Sequence, residues 1–255
     1  MIAGFRLFSI LLLAVLTQSA QAQQAYPSAD AAAEALVVAL GSEKGDAERL
    51  AALLGADWQS YIPTGDVERE DVDAFLGLYR EKHMIEPTAA GRAALVVGNT
   101  PWTFPLPLVQ GKAGWTVDAK AGGEEIRVRR IGRNELASVE AVLAYHDAQM
   151  DYAEVDRDGD GVLEYAQQFM SSDGQYDGLY WPEQPGIEES PLGPLFGDEL
   201  PDGEWQGYHY RILTAQGASA PGGAYDYMLG DNMTRGFALI AWPAEYADSG
   251  VMSFM

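Results

Sequence analysis

The sharpest chemical pattern in the chain is the run Asp156, Arg157, Asp158, Gly159, Asp160, Gly161, Val162, Leu163, Glu164. Carboxylates at loop positions 1, 3 and 5 turn inward when the backbone coils tightly. Gly161 at position 6 allows the sharp turn after which the Val162 carbonyl can face a hard cation. Calcium takes six to eight oxygens, and three aspartates, a carbonyl and water nearly supply them. Position 12 of such a loop ordinarily carries a bidentate Glu, and this chain has Gln167 there. Glu164 at position 9 is the residue placed to compensate, directly or through water. The expected ligand set for Ca2+ is therefore Asp156, Asp158, Asp160, Val162, Glu164 and Gln167, with a structural rather than catalytic role. The competing reading is an acidic turn in which the Asp-Gly pairs only reverse the chain.

No other group of residues assembles into a mechanism. His83, His146 and His209 share no zinc spacing. A Gly-x-Ser-x-Gly elbow, a phosphate-cradling glycine loop and a His-Glu-x-x-His helix are all missing. Cysteine is absent, which excludes thiol nucleophiles, thiolate metal sites and disulfides. Paired carboxylates such as Glu124 with Glu125 and Glu188 with Glu189 are expected by chance in so acidic a chain, and a glycosidase dyad cannot be told from solvated surface. Aromatics crowd the second half, as in Tyr208 with Tyr210 and Tyr225 with Tyr227; sheet core is their default reading, a stacking groove the alternative.

The elements that must position the acidic loop fall into two halves. Ser28 or Asp30 caps a predicted helix over 31–40 that Gly41 stops. Asp46 caps another over 47–54, ended by Gly55 in a left-handed conformation. A third, about 68–83, carries Val72, Phe75, Leu76 and Tyr79 at helical spacing. Strands are predicted at 93–98, 103–109 and 114–118, with Trp102, Phe104 and Trp115 covering the sheet. Pro105 and Pro107 leave the middle strand exposed or interrupted. The longest helix, 124–152, presents Leu136, Val139, Leu143, His146 and Met150 as one apolar stripe, so His146 is expected in the core; Gly132 dents the helix and marks a possible domain boundary. After the loop come a short predicted helix near 163–170, a Pro/Gly-rich stretch over 173–203, and strands at 207–213, 225–229 and 236–242. A last strand begins at Val251 and meets the chain end in mid-pattern, which predicts a fragment. The fold class is α+β: N-terminal helices on a small antiparallel sheet of NTF2-like or cystatin-like type, a long central helix, and a C-terminal antiparallel sheet. The expected divisions are 1–22, 23–120 and 121–255.

Residues 1–22 follow the export pattern. Arg6 supplies a positive start, 7–16 is an apolar run about half the length that spans a bilayer, and Ala20-Gln21-Ala22 offers small residues for cleavage after Ala22. The balance of 16 Lys+Arg against 38 Asp+Glu gives a formal net charge of -22. Such a field repels phosphate backbones and anionic lipid, so neither nucleic acid nor membrane is an expected partner after cleavage. Hydrophobic content of 47% argues against disorder.

Several longer segments resemble one bacterial family. They are 131–136 (Ile-Gly-Arg-Asn-Glu-Leu), 156–166, 178–182, 190–194, 210–216, 221–227 and 236–246, in that order. The family is the exported one filed as domain of unknown function 2950. The resemblance covers nearly the whole chain after residue 22 and implies a secreted or periplasmic bacterial protein. It implies no activity, and members usually continue past the point where this chain stops. A second resemblance is architectural: Asn134, Glu135, Ala148, Gln149 and Tyr152 on one helix, a Gly207-Tyr208 strand, and Gly250 to Phe254 are similar to type IV pilin-like soluble domains. Pilins keep a hydrophobic N-terminal helix continuous with this one, whereas here a whole N-terminal half intervenes. The expectation is a non-enzymatic binding or cell-envelope accessory protein with a structural calcium loop, acting on an unidentified envelope ligand or protein. The alternatives are a periplasmic hydrolase working on an envelope polymer through carboxylates and a pilus- or secretion-associated subunit.

Overall fold

A computed structural model of the chain describes residues 23–41, 46–65, 67–193 and 204–255. The predicted signal segment, 1–22, lies outside the described residues, as does part of the Pro/Gly-rich stretch. The chain divides into two compact units, Met1–Glu125 and Ile126–Met255, and is mixed α and β throughout.

In the first unit, helix α1 (Ala29–Leu40) starts at Ser28, whose side chain accepts the Ala31 N–H. Helix α2 (Ala47–Leu54) starts at Asp46, which accepts the Arg49 N–H. Each cap satisfies a donor that the first turn leaves without an intrahelical partner. Gly55 ends α2 with φ 101° and ψ 152°, an extended glycine conformation rather than the left-handed helical one expected. Helix α3 (Arg69–Glu81) opens with a capping box in which Asp71 accepts from the Glu68 N–H. It stops at Glu81, and His83 opens a strand that the sequence did not reveal, β1 (His83–Ala89). The strand carries Pro87 and is mostly exposed, so it lacks the alternating apolar signal on which strand prediction depends.

β1 pairs antiparallel with β2 (Arg92–Val97), the most buried strand of the unit. Two proline-separated strands follow where one was predicted: β3 (Trp102–Thr103) and β4 (Leu108–Gly111) both pair with β2, and β4 pairs with β5 (Gly114–Val117). The sheet order is β1-β2-β4-β5, with β3 set against β2. Leu36, Leu53, Leu54, Leu106, Leu108 and Val117 form its core. Phe75 joins α3 to the sheet through Phe104, ring centroids 5.0 Å apart.

The second unit is organised by α4 (Ala119–Tyr152), a helix that begins five residues before its predicted start and runs unbroken through Gly132. Residues Ile126 onward belong to this unit. Its sheet is β10-β7-β6, built from β6 (Glu204–Trp205), β7 (Tyr208–Leu213) and β10 (Ala238–Pro243). A separate two-residue ladder joins β8 (Ala215–Gln216) to β9 (Tyr225–Asp226). The segment begun by Val251 contributes one bridge, Phe254 to Ala241.

Two expectations fail in this unit. The face of α4 that packs inward carries Ser138, Ala141, Tyr145, Ala148, Gln149 and Tyr152, while Leu136, Val139, Leu143, His146 and Met150 lie exposed. Residues two apart on a helix sit about 200° around its axis, so burying 138, 145 and 152 turns 136, 143 and 150 outward. Small side chains and tyrosines win because they let the helix approach the aromatic sheet face. Ser138 Oγ meets Tyr210 Oη at 2.9 Å, and the Tyr145 hydroxyl donates to the Ala238 carbonyl. His146 is accordingly not a core residue; its Nδ1 lies 3.0 Å from Asp147. The second failure is the short helix near 163–170, which is extended chain. Tyr165 N–H donates to Met233 O, and Tyr180 N–H donates to Phe169 O. Those pairings with distant backbone replace helical hydrogen bonds.

Candidate metal centre

The acidic loop follows α4 after one irregular turn. Asp156 organises it: one carboxylate oxygen accepts the Gly159 N–H at 2.7 Å, the other the Gly161 N–H at 2.9 Å. Asp158 accepts from the Asp160 N–H and Asp160 from the Val162 N–H. Gly159 and Gly161 hold φ of 79° and 87°, a region that residues with a Cβ rarely adopt. The coil brings one ligand oxygen each from Asp156, Asp158 and Asp160 within 4.8 Å of one another, on the surface. Three like charges so close repel, and a divalent cation at their focus would relieve the repulsion.

The remaining predicted ligands are placed differently. Glu164 is half-buried and accepts the Met233 N–H at 3.2 Å. Gln167 donates its amide to the Asp231 carbonyl at 2.7 Å. Val162 contributes its N–H to Asp160, and its side chain is exposed. Asn232 donates to the second Asp160 oxygen at 2.6 Å. Residues 231–233 thus back the loop from about seventy positions away, a role no local pattern in the sequence signals.

A second missed residue is Gln149. It is fully buried; its Nε2 donates to Ala166 O and to the Tyr145 hydroxyl, and its Oε1 accepts the Ala166 N–H. The amide therefore clasps the chain on both sides of the loop and fixes its two ends. A long polar residue among alanines and tyrosines at helical spacing was the available signal.

The electrostatics divide the carboxylates. Backbone N–H groups of Gly159 and Gly161 hold Asp156 below the ordinary aspartate value. Burial raises Glu164, Met233 N–H opposes this, and the charges of Asp158, Asp160 and Asp156 add to the rise. Beside the loop lies a cavity of about 110 Å³ lined in part by Tyr152, Arg157, Asp158, Glu164, Tyr176 and Asp177. The Arg157 guanidinium stacks on the rings of Tyr152 and Trp181, 5.1 and 5.0 Å from their centroids. Burial works to raise Asp177, but hydrogen bonds from the Ser172 N–H and hydroxyl, with Gln168, bring it below the ordinary value. His83 stacks on Tyr79 in the first unit, and in the second His209 packs against Trp242.

An α+β chain of two units with an aspartate-lined loop is the class these features define. Residues 23–255 match the family described as protein of unknown function (DUF2950), and the chain belongs to that family. No curated protein and no solved structure matches it. Among the described residues no helix is long and apolar enough to cross a membrane.

Proposed function

We propose that this chain is an exported, non-enzymatic binding or cell-envelope accessory protein whose second unit is stiffened by a structural Ca2+ in the loop 156–164. The observation that carries the proposal is the convergence of Asp156, Asp158 and Asp160 within 4.8 Å. Export is supported by the signal pattern of residues 1–22, and it suits a weak site, since millimolar extracellular calcium fills sites that cytosolic calcium would leave empty. The bound ion would neutralise the three aspartates and lock the end of α4 to the turn at 231–233. Glu164, Val162 and Gln167 complete the proposed ligand set, Glu164 being the residue on hand to replace the missing Glu at position 12.

The test is thermal unfolding with and without calcium. At millimolar calcium, about tenfold above the Kd of such a site, stabilisation of about 1.4 kcal/mol corresponds to a rise of roughly 3–6 °C in Tm. EDTA reverses the rise, and Asp158→Ala abolishes it. A wild-type Tm that does not move at millimolar calcium sinks the site.

A hydrolase is the second reading, and the cavity beside the loop is what favours it. Glu164 is pushed up and Asp177 down, the separation that an acid–base pair needs, and tyrosines wall the space. Turnover of an envelope glycan or peptide, lost in both Glu164→Gln and Asp177→Asn, would replace the accessory reading with this one.

A further inference from the structure

The outer face of α4 carries large apolar side chains in water. Leu136 is 69% exposed, Val139 41%, Leu143 61% and Met150 49%. With Gly132 and His146 they fall at 132, 136, 139, 143, 146 and 150, alternating steps of four and three. That is the spacing by which one helix seats a second along a shared seam. Nothing in the second unit's core calls for this arrangement, because the opposite face of α4 already packs the sheet. A solvated face would carry polar residues at these positions.

We propose that this face is a self-association surface on which a second copy of the chain docks with its α4 antiparallel. Charge decides the occupant and its direction. One edge of the seam carries Arg133, Glu140 and Asp147 at steps of seven, all exposed. In an antiparallel pair centred near residue 141, Leu136 packs opposite His146 of the second copy, Val139 opposite Leu143, and Gly132 opposite Met150. Arg133 then meets Asp147 of the other copy, twice by symmetry, around a single Glu140–Glu140 contact at the two-fold axis. A parallel pair would instead set Glu135 beside Glu140 and offer no opposite charges across that seam. A Cβ built at Gly132 meets nothing within 4 Å, so the backbone there is open to the Met150 side chain of the second copy.

A seam confined to one helix face is small beside the standard interface of about 800 Å² per partner, so the expected dimer is weak and concentration-dependent. The strong net negative charge of each copy, -22 over the full sequence, adds long-range repulsion, which salt screens. Association therefore strengthens as salt rises from about 10 mM to about 150 mM, when the Debye length shrinks from about 30 Å to about 8 Å.

Sedimentation equilibrium of the chain from residue 23, from about 1 µM to about 1 mM protein, spans the affinities open to so small an interface. The expected result is a weight-average mass that climbs from monomer toward dimer. Leu143→Glu, at a position outside the core, weakens association at least tenfold with an unchanged circular dichroism spectrum. Arg133→Asp weakens it too, and the combined Arg133→Asp and Asp147→Arg chain restores it, as no unspecific apolar patch would do. A monomer at every concentration overturns the proposal, leaving a different protein as the occupant. A dimer indifferent to Leu143→Glu, or a charge swap that fails to restore, overturns it as well.

Discussion

Glu164 and Asp156 sit eight residues apart on one loop, yet their environments pull their protonation in opposite directions. Asp156 accepts two backbone N–H bonds that favour its charged form. Its contribution to stability is complete above the ordinary aspartate value and is lost as pH falls through its own lowered value. Glu164 is the reverse case, raised by burial and by its acidic neighbours. Its ionisation works against the fold, so the calcium-free protein gains stability as pH falls through the raised value toward the ordinary glutamate value. Glu164→Gln should therefore raise the Tm of the calcium-free protein at pH 7 and flatten its pH response in that window. The same substitution should shrink the calcium-induced rise, because a neutral amide is a poorer calcium ligand than a carboxylate. In the wild type the calcium response should begin to fade on acidification at the raised Glu164 value, before Asp156 protonates at its lowered one. Melting curves between pH 4 and pH 8, with calcium and with EDTA, check all three; an E164Q variant that melts lower in EDTA would refute the assignment.

At the scale of elements, α4 is two helical faces with the same spacing and different chemistry. The inward face is set by Ser138, Tyr145, Gln149 and Tyr152, each of which finds a hydrogen-bond partner in the unit. Gln149 matters most to the loop, since its amide exchanges two hydrogen bonds with Ala166. Gln149→Leu fills a similar volume but strands the Ala166 N–H and C=O in the interior. Each of the two stranded groups costs about 1–3 kcal/mol, so the variant should lose about 2–6 kcal/mol in urea unfolding. It should also bind calcium more weakly, because the loop ends are no longer clasped. A loss confined to stability, with calcium affinity intact, would show that the loop holds its shape without Gln149.

For the whole molecule, two separate cores predict two unfolding steps. The first unit is held by Leu53, Leu95, Val97 and their neighbours, the second by Tyr145, Leu179, Trp181 and Leu239. Calorimetry should resolve two transitions, of which calcium raises only one. Hydrogen exchange with calcium should slow in residues 150–170 and 229–235 and stay unchanged in β1 to β5. Uniform slowing across both units would contradict a local, structural ion.

Residue types and spacing by themselves determined the acidic loop, the capped helices α1 and α2, the break at Pro105 and Pro107, and the α+β class. Each is a local matter: a glycine at a turn, a carboxylate at a helix start, a missing N–H in a ladder. Only the tertiary structure decided which face of α4 is buried, where Gln149 reaches, and that 231–233 stand behind the loop. Periodicity marks that a helix has a preferred face, and with two faces at the same spacing the more apolar one reads as core. The sheet chose the other, because close approach to Tyr210 rewards small side chains and hydroxyl partners over leucines. Those partners lie some seventy residues away, and contacts at that distance leave no periodic trace in the chain.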